Sequence, residues 1–214
     1  MTDAPKLTLF HAPQSRSVRP RWCLEEMGLP YQIERLSVMG AARGDVGGAA
    51  YRAVNPLQKV PALTDGDRII LESLAICEYL ANRYGPSPLV VGVDEDDYAR
   101  YLEWLHFGEA TMSTTVNMML AQLVFLPEEH RNPGTAKWAV QTIGEQLSLL
   151  ATRGLEEGKR EFLAGDRLTL ADMSLGYMLF LLKITKQFHV APDSVGEYFN
   201  RLRATESWKR ATAD

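Results

Sequence analysis

A chain of 214 residues exceeds the usual single-domain size of about 100 to 150 residues yet is short for two full-sized domains, so one domain with a smaller companion is expected. With 46% hydrophobic residues, four tryptophans among them, and 23% charged residues, it can bury a core and is not a disordered chain. A formal net charge of −4 gives no bulk attraction to nucleic acid or anionic lipid, which leaves a small molecule or a protein as the expected partner.

The N-terminus MTDAPKLTLF has no basic segment followed by a long apolar one, and no run approaches the ~20 apolar residues of a membrane span. The two cysteines, Cys23 and Cys77, stand in helix-like patterns outside any CxxC spacing and fit a reducing compartment. A soluble cytoplasmic protein is expected.

Leu7 to Phe10 form a short apolar run suited to a buried strand. The polar loop HAPQSRS separates it from VRPRWCLEEM, where Val18, Trp22, Cys23, Leu24 and Met27 make a helical pattern that stops at Gly28. LPYQIERLSV follows closely as a second strand, so the unit predicts a parallel pair with a crossover helix. MGAARGDVGGAAYRAVNP, rich in Gly and Ala and without a clean period, reads as a variable loop with some helix. VPALTDGDRIILES holds two β-prone runs around Asp65-Gly66-Asp67, a hairpin signal. In ESLAICEYLANRYG, Leu74, Ile76, Tyr79, Leu80 and Tyr84 follow a helical pattern that ends at Gly85-Pro86. The order βαβ-α-ββα defines a small α/β domain over residues 1–84.

Residues 85–95, GPSPLVVGVDE, form a linker, and beyond it strand signals give way to an all-helical domain over residues 96–214. One long helix is predicted from residue 96 towards residue 124, ending before Pro127, and another over residues 135–155, with NPG between them. Thr169 and Asp172 have capping-box spacing ahead of a helix that is apolar almost all round, so Asp172 is a folding residue and not part of a site. Glu103, His106 and Glu109 are spaced for metal ligation in a bundle, but a second such helix is needed and the remaining histidines are His11, His130 and His189; no metal is expected. The C-terminal segment predicts one or two short helices.

Two segments could hold a ligand. In NPLQKVPAL, Pro61 is either a strand-entry proline or, with a cis bond from Val60, a turn that presents the peptide groups of Val60 to an extended peptide. Glu72-Ser73 is either a helix cap or a site for an amino-acid head, Ser73 at a helix N-terminus favouring a carboxylate and Glu72 an ammonium.

Together with LTLFHAPQSRSVRPRWCLEEMGLPY, LESLAICEYLANRYG and FLAGDRLTLADMSLGYML, these segments make the chain resemble a cytosolic glutathione S-transferase, of the serine type found in bacteria. The resemblance spans most of the chain, in order. It implies a thioredoxin-like N-terminal domain that binds glutathione as co-substrate, an all-helical C-terminal domain that supplies the second-substrate pocket, and a homodimer. By the same resemblance Pro61 is cis, Val60 pairs with the cysteinyl part of glutathione, Glu72 and Ser73 hold the γ-glutamyl head, and Lys59 meets the glycyl carboxylate. The helix that matches the family's pocket wall makes His106, Phe107, Met112 and Thr115 candidate lining residues; a stripe of this kind is also what a core requires.

The chemistry so implied is activation of a bound thiol by a hydrogen-bond donor. Pro20 discriminates between the serines: with Ser17 as N-cap it falls at the third helical position, whereas with Ser15 as cap it removes a helix hydrogen bond at a cost of about 3 kcal/mol. Ser17 is therefore the expected cap and Ser15 the expected catalytic donor, with Ser17 the second choice and Arg16 a possible helper. The reading is a transferase, or peroxide reductase, acting on a small apolar electrophile in detoxification. The alternative is a non-catalytic module of the same fold for ligand binding or protein interaction.

Overall fold

Alternation makes β1 (Leu7–His11) a central strand, with Leu7, Leu9 and His11 on one fully buried side and Thr8 and Phe10 on the other. The computed structural model describes residues 6–37 and 48–213. β1 runs parallel to β2 (Tyr31–Arg35) and antiparallel to β3 (Ala62–Asp65), which pairs antiparallel with β4 (Arg68–Leu71); the sheet order is β2-β1-β3-β4. The predicted crossover is α1 (Val18–Met27), closed by Gly28 at φ 63, and the predicted hairpin turns through Gly66 at φ 59. α2 (Gly48–Val54) supplies the helix expected in the Gly- and Ala-rich stretch, whose residues 39–47 lie outside the described residues. α3 (Ser73–Arg83) follows β4, and its Tyr79 and Tyr84 hydroxyls both donate to Oδ2 of Asp65, at 2.5 and 2.7 Å, tying the helix to the hairpin.

The chain divides into two compact units, residues 1–90 with 205–214, and residues 91–204. The last helix, which the sequence reading assigns to the helical domain, thus belongs to the N-terminal unit. Its residues pack on α1: the Trp208 ring meets Trp22 edge-on at 4.7 Å, Trp22 Nε1 donates to Ser207 Oγ at 3.0 Å, and Ser207 Oγ donates to Glu26. Arg210 reaches Glu25 at 2.6 Å. Residues 18–24 of α1 are buried on every side as a result.

In the helical unit the predicted long helix is present as α4 (Tyr98–His106) and α5 (Ser113–Leu120), joined and followed by wider π-helical turns at Phe107–Met112 and Ala121–Phe125. Ser174 Oγ donates to the Leu105 carbonyl at 2.8 Å just before the first wide turn, and a hydroxyl inserted into the helix ladder is a known cause of such distortion. A Cβ on Gly108 would meet Ser174 Oγ at 2.3 Å, so only glycine permits this approach. The second predicted helix is α6 (Pro133–Leu149), with Asn132 capping the Thr135 N–H at 3.0 Å and Pro133 in the first turn. α7 (Leu170–Ile184) runs through the unit's interior, and α8 (Asp193–Ala204) and α9 (Glu206–Ala211) end the chain.

Asp172 is wholly buried at the start of α7 and accepts from four donors: the N–H groups of Leu163 and Thr169 and the hydroxyls of Thr169 and Tyr198, all at 2.8–3.0 Å. Burial pushes its carboxyl up to about 6 even though these bonds favour the anion. A folded pKa above the unfolded value means that the group's stabilising contribution is complete below about pH 4 and is lost as pH rises through 6. On the order of 3 kcal/mol is at stake. Denaturation of wild type and Asp172→Asn from pH 7 to pH 4 should therefore show the wild type gaining on the variant as pH falls; a constant or shrinking difference contradicts this. Trp208→Ala should cost about 3 to 5 kcal/mol by chemical denaturation, because it opens the buried face of α1.

Candidate functional site

The antiparallel register brings the candidate segments to one end of the sheet. Phe10 lies opposite Ala62 and Ala62 opposite Leu71, so the loop after β1, the turn before β3 and the residues after β4 all emerge at the same edge. These are the HAPQSRS loop, Lys59-Val60-Pro61 and Glu72-Ser73.

The loop after β1 turns through Gln14 at φ 60. Ser15 N–H and Ser15 Oγ both donate to the Ala12 carbonyl, at 3.3 and 2.8 Å, and Val18 N–H returns to the Ser15 carbonyl at 3.0 Å. Ser17 occupies the position before α1 and Pro20 is the third helical residue, as the proline predicts. Its side chain does not cap the helix, however, and this corrects the role expected for it. Ser17 has helical backbone angles, φ −68 and ψ −11, whereas a capping hydroxyl needs an extended residue. Ser17 Oγ instead turns inward, wholly buried, 2.7 Å from His11 Nδ1 and 3.1 Å from the Ala12 N–H, which donates to it. Ser15, half-buried, lies on its outer side with Oγ 2.7 Å from Ser17 Oγ. Arg16 is also half-buried.

Behind the loop sits a group of buried cations that sequence reasoning passed over. Arg21 Nη1 lies 3.3 Å from His11 Nε2, and Arg19, with no exposed surface, donates from Nη1 to Ser73 Oγ at 3.1 Å. On the Arg21 side, Tyr31 donates to Glu25 at 2.6 Å. Burial would raise the Glu25 carboxyl, but the bonds from Tyr31 and Arg210 and the charges of Arg210 and Arg21 outweigh it and hold the group below the usual range. Arg19 and Arg21 alternate with Pro20 and Trp22 in the sequence, and all residues from 18 to 24 of α1 are buried.

The bond between Val60 and Pro61 is cis, the sharper of the two sequence readings, and so is that between Gly85 and Pro86, which had no sequence signal. The turn is pinned at Lys59, whose carbonyl accepts from Tyr51 Oη and Asn55 Nδ2, both at 2.6 Å. Lys59 itself is exposed, Pro61 is buried, and the Val60 side chain packs on Tyr51 and Ala62. Glu72 is exposed at φ 67 and ψ 119, a conformation that side chains other than glycine adopt only under strain, and it delivers Ser73, buried, to the first position of α3.

The second-substrate candidates divide. His106 is exposed and Phe107 half-buried against Trp104 at 5.1 Å between centroids, whereas Met112 is wholly buried in the helical unit and Thr115, also buried, accepts from Gln146 Nε2 at 2.9 Å. Glu103 pairs with Arg153 at 2.9 Å, and among the described residues no three His, Cys, Asp or Glu side chains converge for a metal.

Residues 9–88 match a family described as "Glutathione S-transferase, N-terminal domain". The chain is similar to "Glutathione S-transferase F10" of Arabidopsis thaliana, 27% identical over 217 residues that cover 97% of this chain and 96% of that protein. It is similar to "Probable glutathione S-transferase GSTF2" of Oryza sativa subsp. japonica, 30% identical over 71% of this chain and 68% of that one. Among solved structures it resembles the theta class glutathione S-transferase of Xanthomonas axonopodis pv. citri with glutathione bound, with a TM-score of 0.75, 27% identity and 98% coverage of both chains.

The strain at Glu72 has a measurable consequence. Glu72→Gly should raise stability by about 1 kcal/mol, because glycine adopts a positive φ without penalty, while Glu72→Ala should give no gain. Equal stabilities of both variants and wild type in urea denaturation contradict this.

Proposed function

The chain belongs to the glutathione S-transferase family, and on that premise we propose that Ser15 donates a hydrogen bond to the sulfur of bound glutathione, holding it as a thiolate that adds to a small apolar electrophile or reduces a peroxide. The observation that carries this assignment is the contrast in burial: Ser17 Oγ is enclosed by His11 and Ala12, while Ser15 Oγ is the half-buried hydroxyl of the pair. A free thiol has a pKa of about 8.5, so the enzyme must favour the anion to have a nucleophile near pH 7.

The rest of glutathione follows the same end of the sheet. The α-carboxylate of the γ-glutamyl head meets Ser73 and the N-terminus of α3, where N–H groups and the helix dipole favour an anion, and Glu72 takes the ammonium. The cysteinyl backbone pairs with Val60 beside cis-Pro61, and Lys59 attracts the glycyl carboxylate. Arg16 helps to hold the thiolate by its charge. The cysteinyl and γ-glutamyl contacts fix the sulfur, so binding energy is converted into position for attack.

The electrophile is taken by the helical unit, with His106 and Phe107 as its surface contacts and Met112 and Thr115 supporting them. The protein acts in detoxification as a serine-type enzyme; the likeness to a Xanthomonas enzyme over 98% of both chains favours a bacterial setting. Its two buried free cysteines fit the reducing cytoplasm, and no described helix is long and apolar enough to cross a membrane. A homodimer is part of the proposal, and the exposed apolar side chains of Leu57 and Ile69 on the N-terminal unit suit such a contact.

A hydrogen bond to a charged group contributes about 1.5 to 3 kcal/mol, so Ser15→Ala should raise the bound thiol's pKa by about 1 to 2 and lower kcat/KM at pH 7 about 10- to 100-fold. Calorimetry should show saturable glutathione binding to both proteins. No binding to wild type contradicts the family activity, and unchanged kcat/KM in Ser15→Ala contradicts the residue assignment. Saturable binding without turnover across a panel of electrophiles and peroxides would support the non-catalytic module instead.

A further inference from the structure

The hydrogen bonds behind Ser15 have a direction. A guanidinium donates and has no acceptor, so in the 3.3 Å contact between Arg21 Nη1 and His11 Nε2 the imidazole nitrogen is the acceptor. The ring proton of His11 then resides on Nδ1 and is donated to Ser17 Oγ at 2.7 Å. Ser17 Oγ also receives the Ala12 N–H at 3.1 Å, which fills its two lone pairs and leaves it only its own proton to give. That proton has two acceptors in reach, Ser15 Oγ at 2.7 Å and the Ala12 carbonyl at 3.1 Å; Ser15 Oγ is the nearer, and the carbonyl accepts the Ser15 N–H at 3.3 Å whichever way the Ser15 hydroxyl turns. Ser15 Oγ in addition receives the Ser17 N–H at 3.2 Å. With its inner neighbours all acting as donors, the Ser15 hydroxyl can give its proton only to the Ala12 carbonyl or outward to a ligand.

We infer that Arg21, His11 and Ser17 form a one-way hydrogen-bond relay that aims and strengthens the Ser15 hydroxyl as donor to the glutathione thiolate, with His11 and Ser17 acting as positioning residues. The relay begins at a fixed positive charge and runs through His11 and Ser17, both with no exposed surface, so the low local dielectric keeps each link strong and lets each polarise the next. No proton is transferred along it. The relay leaves Ser15 a better donor than an isolated hydroxyl and leaves it one outward direction in which to donate.

This inference rests on Ser15 being the donor to the sulfur, and its test separates the two. The thiol pKa of bound glutathione is read from thiolate absorbance in wild type, Ser17→Ala, His11→Phe and His11→Asn, and in the same changes made on Ser15→Ala. Binding of S-methylglutathione, which has no ionisable thiol, is measured alongside as a check on the rest of the site. Each link adds about 10 to 30% to a bond that shifts the pKa by about 1 to 2, and loss of aim adds to this, so Ser17→Ala and His11→Phe should raise the pKa by about 0.5 to 1 with S-methylglutathione affinity unchanged. His11→Asn, whose amide nitrogen can occupy the place of Nδ1 and still donate to Ser17 but which has no atom to receive Arg21, should fall between wild type and His11→Phe. On Ser15→Ala neither change should add anything. Wild-type pKa values in Ser17→Ala and His11→Phe overturn the relay, as do shifts that persist without Ser15. An unchanged pKa in Ser15→Ala itself is a separate result and overturns the assignment beneath it. Where His11→Phe fails to fold, Ser17→Ala, the smaller change, decides.

Discussion

The buried hydroxyl of Ser17 is the contact on which the N-terminal site depends. It joins the last residue of β1, through His11 Nδ1, to the entry of α1 and takes the Ala12 N–H between them, so the loop that carries Ser15 has a fixed base. A hydroxyl with no exposed surface must have its partners or cost about 1 to 3 kcal/mol, and here those partners also set where the neighbouring serine faces. Arg19 performs a parallel task for the other half of the site by donating to Ser73 at the head of α3. Two buried arginines are an expensive feature of a helix, and in α1 Arg19 donates to Ser73, Arg21 to His11, and the carboxylate of Glu25 lies close enough to Arg21 to feel its charge.

Strain and stability are kept apart in the N-terminal unit. Gln14, Gln58 and Glu72, its described positive-φ residues other than glycine, stand in the three segments at the single end of the sheet proposed to hold glutathione. Conformations of this kind persist where the surroundings over-determine them and are typical of ligand sites. The surroundings are the bonds from Tyr51 and Asn55 to the Lys59 carbonyl, the serine cluster, and the Trp22–Trp208 contact that holds α1 from behind. In the helical unit Asp172 and its four donors lie deep at the start of α7, where they organise the fold.

Much of this was legible from residues alone, for definable reasons. Period-2 and helical spacing located the strands and α1, α3 and α6; Asp65-Gly66-Asp67 identified the hairpin; the Thr169–Asp172 spacing identified the start of α7. Pro20 correctly put the first turn of α1 at Val18, but the same argument made Ser17 a capping side chain, because backbone position says nothing about the direction of a rotatable hydroxyl. The burial of Arg19, Arg21 and His11 was not legible: charged side chains carry no local mark of the partners that distant strands and helices supply. The placement of residues 205–214 was missed for a related reason, since a short helix with one large apolar anchor, Trp208, fits the periodicity of either unit and only three-dimensional packing on Trp22 decides.

The central claim is that the sulfur of glutathione is held by the outer serine of this cluster and not by the inner one. A crystal structure of the glutathione complex measures this directly. The sulfur should lie within hydrogen-bond distance of Ser15 Oγ, with Ser17 Oγ still bonded to His11 Nδ1. A sulfur bonded to Ser17, or held by Arg16 with Ser15 Oγ still turned to the Ala12 carbonyl, would contradict it.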